Sequence, residues 1–303
     1  MRVLHVSDIH EARPKKGEGP SSKMQGIARQ ADAKAIIFHG DLTAGIWCDQ
    51  NGSGQFFDRM GELKGEARNK EQVIGDMGTV LRNFTYVDGM TDPLPVYAVT
   101  GNHDGITRYA VSGDRIIGQK HETVGLDIAN ETPGVRSLNF RTEDIGDLTY
   151  GGVPGHKWIR RGGATPVEFS EHDIKEKLSG LGAVDVLVAH SQPAGTLLDR
   201  TAFPPLPEDR SSFPPIPGEI PIMDGSGYKS HGGSYSIRSY IDKAQPLGFA
   251  GGHIHETSGQ SDLLGRTRAY SVPFQQHGGH SVANGNVYVI DFADGTFEKI
   301  PVA

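Results

Sequence analysis

Short apolar runs alternate along this chain with stretches of helical periodicity. Val3-Leu4-His5-Val6 marks a buried strand over Arg2 to Ser7, ended by Asp8. Lys23 to Ala33 reads as a helix, and Ala35 to His39 as a second apolar strand closed by Gly40-Asp41. Val73, Met77, Val80, Leu81 and Phe84 recur at i, i+4, i+7, i+8 and i+11, the stripe of an amphipathic helix. Asp92-Pro93-Leu94-Pro95 breaks the chain before a third strand, Val96 to Thr100, closed by Gly101-Asn102-His103-Asp104. Further on, the pattern predicts a strand over Leu148 to Val153, a helix from Ser170 to Leu178, and a strand over Val184 to Ala189 closed by His190. It then predicts a helix over Tyr235 to Lys243 and a short strand over Leu247 to Gly251, closed by His253. Thr267 to Val272, Val287 to Phe292 and Phe297 to Ile300 are late strands.

Strands alternating with helices predict βαβ units and a layered α/β core. The polar residues of interest follow the strands, and in such sheets ligands bind at the carboxyl ends. Two stretches read as irregular: the glycine-rich loop Gly45 to Gly54, and Ala202 to Gly227, which holds seven prolines. The second reads as an insertion, a stiff surface loop or a lid, within a single domain spanning residues 1–303.

Composition narrows the function. With 36% hydrophobic and 22% charged residues, the chain is globular rather than fibrous or disordered. A net charge of -7 provides no basic field for nucleic acid, and no run of 18 apolar residues predicts a membrane helix. The opening MRVLHVSDIH reads as a strand, not a signal segment. One cysteine, Cys48, excludes an internal disulfide framework and a thiolate zinc cage, and is read as a bystander in a cytoplasmic protein. Thirteen histidines, by contrast, raise the expectation of a metal site.

Five clusters carry that expectation: Asp8-Ile9-His10, Gly40-Asp41, Gly101-Asn102-His103-Asp104, His190, and Gly252-His253-Ile254-His255. Each is short, but all five sit at predicted strand ends. Residues i and i+2 of a running-out strand share a face, so Asp8 and His10 can grip one ion, as can His253 and His255. Imidazole nitrogens and carboxylate oxygens without thiolate suit Mn, Fe, Zn or Ni. A carboxylate can bridge two cations, and two ions about 3.5–4 Å apart can activate water and clamp phosphate oxygens.

The ordered set D-x-H, GD, GNHD, H and GH-x-H resembles that of the calcineurin-like metallophosphoesterases, from Asp8 to His255. The stretches VDVLVAHSQPAG and HGGSYSIRSYIDKAQPLGFAGGHIHE also look like its small metallophosphoesterase-domain branch, similar to class III cyclic-nucleotide phosphodiesterases. The resemblance implies a four-layer α/β/β/α sandwich with two mixed sheets. It implies two divalent or trivalent transition-metal ions, one held by Asp8, His10, Asp41 and His255, the other by Asp41, Asn102, His190 and His253. Asp41 would bridge them, and His103 would protonate the leaving oxygen.

In many members an aspartate three residues after the bridging one orients the catalytic histidine; here that position is Ala44. Asp104 is adjacent to His103, and neighbouring side chains on an extended segment point apart. His5 and His39 are expected to pack beneath the ligands. Arg108 is a candidate phosphate clamp, and His231 a candidate phosphate contact beside helix N-terminal amides. His277 and His280 have metal-like spacing, but the site is already supplied. The expected activity is hydrolysis of a cyclic nucleotide or similar small phosphodiester, with a small, nucleotide-like phosphoester as substrate. A phosphomonoesterase is the alternative, followed by a nuclease and by a non-catalytic scaffold.

Overall fold

The computed structural model describes residues 1–11, 15–42, 46–49, 55–57, 63–66, 70–85, 92–112, 115–123, 125–157, 167–201, 222–224, 227–274 and 285–302. Twelve strands build the centre: β1 (Val3–Val6), β2 (Ile36–Phe38), β3 (Val96–Ala98), β4 (Val135–Ser137), β5 (Thr142–Ile145), β6 (Leu148–Val153), β7 (Val186–Ala189), β8 (Gly248–Gly251), β9 (Ser261–Leu264), β10 (Thr267–Ser271), β11 (Gly285–Asp291) and β12 (Thr296–Val302). They form two six-stranded sheets, in the orders β12-β11-β1-β2-β3-β4 and β5-β6-β7-β8-β10-β9. Both are mixed. The run β1-β2-β3-β4 is parallel, with Leu4 opposite Ile36 and Ile36 opposite Val96, while β11 and β12 close that sheet antiparallel. The run β6-β7-β8-β10 is parallel, and β5 and β9 pair antiparallel at its edges.

The period-two alternation of each strand decides the layers. Leu4, Val6, Ile36, Phe38, Val96 and Ala98 face three helices, α1 (Met24–Gln30), α2 (Lys70–Thr85) and α3 (Gly125–Glu131). Those helices bury Met24, Ala28, Met77, Val80, Leu81, Phe84, Ile128 and Ala129 against them. Val3, Ile37 and Tyr97 point the other way and pack between the sheets with Tyr150, Val186, Val188, Ala250 and Tyr270. Leu187, Ala189, Phe249 and Ala269 face outward from the second sheet onto α4 (Glu171–Leu181) and α5 (Tyr235–Ala244), meeting Ile174, Leu178, Ile237 and Ile241. The result is the expected α/β/β/α sandwich. Its parallel strands β1, β2, β3, β7 and β8 run directly into the five motif clusters.

Three features differ from the sequence reading. Within the expected loop Gly45 to Gly54, Ile46–Asp49 is a strand that carries Cys48 and pairs parallel with Ile106–Ser112, itself paired to Arg115–Glu122. The proline-rich stretch ends in a strand, Ile222–Asp224, paired with Gly227–His231; 202–221 lie outside the described residues. α3 and the short strands β4, β5 and β9 carry no apolar run to announce them; β5 and β9 each fully bury only their last residue, Ile145 and Leu264. Among the described residues no helix is long and apolar enough to cross a membrane.

Phe38 is fully buried, with its ring 5.1 Å from that of Phe84, and it anchors the strand that leads to Asp41. Phe38→Ala should lower the unfolding free energy by about 3–5 kcal/mol in urea titrations. Leu263→Ala, at a position 65% exposed, should change it by less than about 0.5 kcal/mol.

Candidate metal centre

Two clusters form where the sheet ends meet. Asp8, His10 and His255 make one, and Asp41, His190 and His253 the other; within each, one ligand atom per residue lies within 4.8 Å of the rest. Asp41 reaches into both. Its Oδ2 is 3.7 Å from His10 Nε2, and its Oδ1 is 3.5 Å from His190 Nε2. Asn102 joins the second cluster, its Oδ1 2.6 Å from His190 Nε2 and 2.9 Å from His253 Nδ1. The seven residues expected as ligands are thus brought together, and His103 stands beside them, its ring edge-on to His10 at 5.7 Å. The His103 backbone N–H donates to Asp41 Oδ1 at 2.9 Å.

The backbone makes unusual turns to achieve this. Among the described residues seven non-glycine residues have positive φ, and four of them are Asp8, His10, Asp41 and His253. Such conformations cost of order 1–3 kcal/mol each and persist only where surrounding bonds over-determine them. Here Asp8 N–H donates to Gly40 O, His10 N–H to Asp41 O, and Gly252 N–H to His190 O. Asp104 ties the remaining turns, its carboxylate accepting from the N–H groups of Asp41, Leu42 and Gly101 at 2.9, 2.7 and 2.7 Å. Asp104 is therefore turned to the backbone rather than to the ring of His103, and Ala44 lies outside the described residues. A Cβ on Gly101 would sit 2.1 Å from Asp41 N, and one on Gly252 would sit 2.0 Å from Ser7 Oγ. Only glycine lets these turns approach so closely.

The electrostatics fit cations. Asp8, Asp41 and Asp104 are all buried, and among the described residues they pair with histidines, a hydroxyl and backbone amides, with no lysine or arginine. Burial raises the pKa of Asp8, but the nearby His255 ring and the charges of His255, His190 and His10 outweigh it and hold the carboxyl far below the usual range. Burial, reinforced by Asp8 and Asp104, pushes Asp41 well above it. Burial likewise lowers His190 and His253, keeping both rings neutral and able to ligate. His190 Nδ1 faces the His39 carbonyl at 2.7 Å and must carry the ring's proton, which leaves a bare Nε2 lone pair facing the Asn102 oxygen. Asp8 Oδ1 is buried without a hydrogen-bond partner. Lone pairs converging on one another across a buried gap are the arrangement that a shared cation relieves.

Residues 1–257 match the calcineurin-like phosphoesterase family. The chain belongs to it. Membership implies a dinuclear metal site and metal-dependent hydrolysis of phosphoesters, and the two clusters supply the donors for it. One solved structure superposes with a TM-score of 0.59 at 14% identity, covering 100% of this chain and 99% of its own. TT1561 of Thermus thermophilus superposes with a TM-score of 0.53 at 13% identity, with coverage of 100% and 99%. At these identities the likeness is one of fold. No curated protein matches.

Two histidines expected to pack do so: His5 Nδ1 lies 2.8 Å from His39 Nε2, and His39 Nδ1 lies 3.3 Å from the Ala189 carbonyl. Arg108 falls in the strand Ile106–Ser112, and His231 ends the strand Gly227–His231 opposite Arg200. The neighbouring helix terminus is not open to phosphate, because Glu171 accepts from Ser234 Oγ and from the N–H groups of Tyr235 and Ser236. His277 and His280 lie outside the described residues. The sequence reading missed His156, which is buried and stacks on His253 with ring centroids 3.9 Å apart. It follows the end of β6 by three residues, the same strand-end placement that exposed His190.

Asp41→Asn should leave less than half of the metal bound, because two dications would lose the anion that separates them. Asp8→Asn should lose about one ion of the two, since Asp8 Oδ1 faces the rings of His10 and His255 in the first cluster while Oδ2 meets only the backbone N–H of His253 in the second. Metal counting by mass spectrometry on purified protein checks both; two full equivalents in Asp41→Asn would refute the bridging position.

Proposed function

We propose that this phosphoesterase hydrolyses small, nucleotide-like phosphodiesters, with Asp8, His10, Asp41 and His255 around one ion and Asp41, Asn102, His190 and His253 around the other. The observation that carries this reading is the Asp41 carboxylate, whose two oxygens face different clusters. Two ions so held would supply Lewis acidity to the phosphoryl group and a water of lowered pKa. Nitrogen and oxygen donors without thiolate favour Mn, Fe, Zn or Ni. The complete ligand set favours an enzyme over a scaffold, and the single Cys48 suits the cytoplasm.

The chain's own groups divide the remaining work. His103 is half-buried and fixed through its amide to Asp41, so its ring stays beside the first cluster while remaining open to substrate. In this reading it delivers a proton to the departing oxygen. The preference for diesters rests on charge. Among the described residues the carboxylates at the centre have no arginine or lysine partner, and a monoanionic diester asks for less positive charge beyond the ions than a dianionic monoester. The net charge of -7 also disfavours a polyanionic nucleic acid.

Two measurements test this. On a panel of nitrophenyl mono- and diesters and cyclic nucleotides, assayed with each metal, kcat/KM should be higher for bis-nitrophenyl phosphate than for nitrophenyl phosphate. The reverse order would count against the diester reading. His103→Ala should cost about 10²–10⁴-fold on ribose or alkyl esters, whose leaving oxygen needs a proton, and under about tenfold on nitrophenyl esters. Equal losses on both would make His103 a phosphate-binding or site-shaping residue instead.

A further inference from the structure

His156 lies against the second cluster. Its ring lies against that of His253 at 3.9 Å and 29°. Its Nδ1 is 3.0 Å from the hydroxyl of Ser191, the residue after His190. The segment carrying it is tied to the Asn102 turn: Gly155 N–H donates to Thr100 O at 2.7 Å, His156 N–H to Val167 O at 3.1 Å, and Val167 N–H to Asn102 O at 3.1 Å. Among the described residues it makes no hydrogen bond or ring contact to Asp8, His10 or His255. The side chain is 1% exposed, and its Nε2 is buried without a partner. An orphaned ring nitrogen is tolerated best as a bare acceptor, so Nδ1 carries the proton toward Ser191 and the ring is neutral.

A histidine ring turns broadly about its outer torsion, so its plane must be set by whatever packs on its faces. His253 also sits on a strained, left-handed backbone, φ 70°, which does not by itself aim the ring. We propose that His156 is a positioning residue for the second metal: by lying flat on His253 it holds that ring toward Asn102 and His190, and so sets the affinity of the second ion without affecting the first. The inference rests on the dinuclear reading given above. A flat face is the property that matters, so phenylalanine should replace it, whereas a residue without such a face should not.

The test compares wild type, His156→Phe, His156→Leu and His156→Ala by metal counting and by Mn(II) titration, following the spin-coupled signal of a two-ion centre. Wild type and His156→Phe should hold two ions. His156→Leu and His156→Ala should keep one, with the concentration that half-saturates the second raised by about 10–100-fold. Should His156→Ala fail to fold, the contrast between leucine and phenylalanine decides the matter, because both fill the space. Two ions of unchanged affinity in His156→Leu would overturn the proposal, as would parallel loss of both ions. A wild type that holds one ion would instead defeat the dinuclear reading itself, and this inference with it.

Discussion

Buried negative charge is the constraint from which the rest of this structure follows. Three carboxylates, Asp8, Asp41 and Asp104, are almost wholly removed from solvent where the two sheets meet, and histidines and backbone amides surround them. Burying one unpaired carboxylate costs roughly several kcal/mol even after relaxation. Asp104 is compensated in part by three N–H dipoles, though burial still raises its pKa, and Asp8 by the histidines around it. Asp41 is furthest from balance: it accepts from the His103 N–H, yet burial, reinforced by Asp8 and Asp104, pushes its pKa well above the usual range. A polypeptide keeps such a group only if something positive completes it, and the converging imidazole lone pairs say that this is metal rather than an ammonium or guanidinium group.

The sandwich serves that arrangement. Parallel neighbours β1, β2 and β3 end together in one sheet, as do β7 and β8 in the other, so five loops arrive at one place from two directions. Loops converging so tightly cannot all take ordinary turns. The left-handed conformations at Asp8, His10, Asp41 and His253, and the absence of a side chain at Gly101 and Gly252, are consequences of that crowding. The wide apolar layers on either side provide the stability against which this strain is held.

What the sequence revealed follows from the same physics. The central strands were legible because they are buried on both faces and read as continuous apolar runs, and the ligands because they directly follow those runs. The edge strands β5 and β9 were not, since each is four residues long, starts on polar residues and buries only its last, so neither shows an apolar run or a clean alternation. Nor was the strand Ile46–Asp49, whose glycine-rich flanks suggested an irregular segment. His156 escaped because it stands three residues beyond its strand and outside the five motif clusters, and only packing shows that it lies on His253. The helix terminus beside His231 invited an anion in sequence, and the structure supplies that anion from within, as Glu171 at the start of α4.

Asp104 shows how a residue within a motif can matter without touching the chemistry. Sequence position puts it beside His103, where neighbouring side chains on an extended segment point apart. Its oxygens instead draw together the amides of Asp41, Leu42 and Gly101, which belong to two different loops. Those amides are among the donors that a turn leaves unsatisfied, and burial would make each of them costly. One carboxylate satisfies all three and fixes the spacing between the GD and GNHD turns. It thereby sets where the Asp41 oxygens lie relative to Asn102 and His103. The charge that Asp104 adds to the centre, a penalty by itself, is offset in part by the dipoles it collects, and it adds to the negative potential that draws cations to the site.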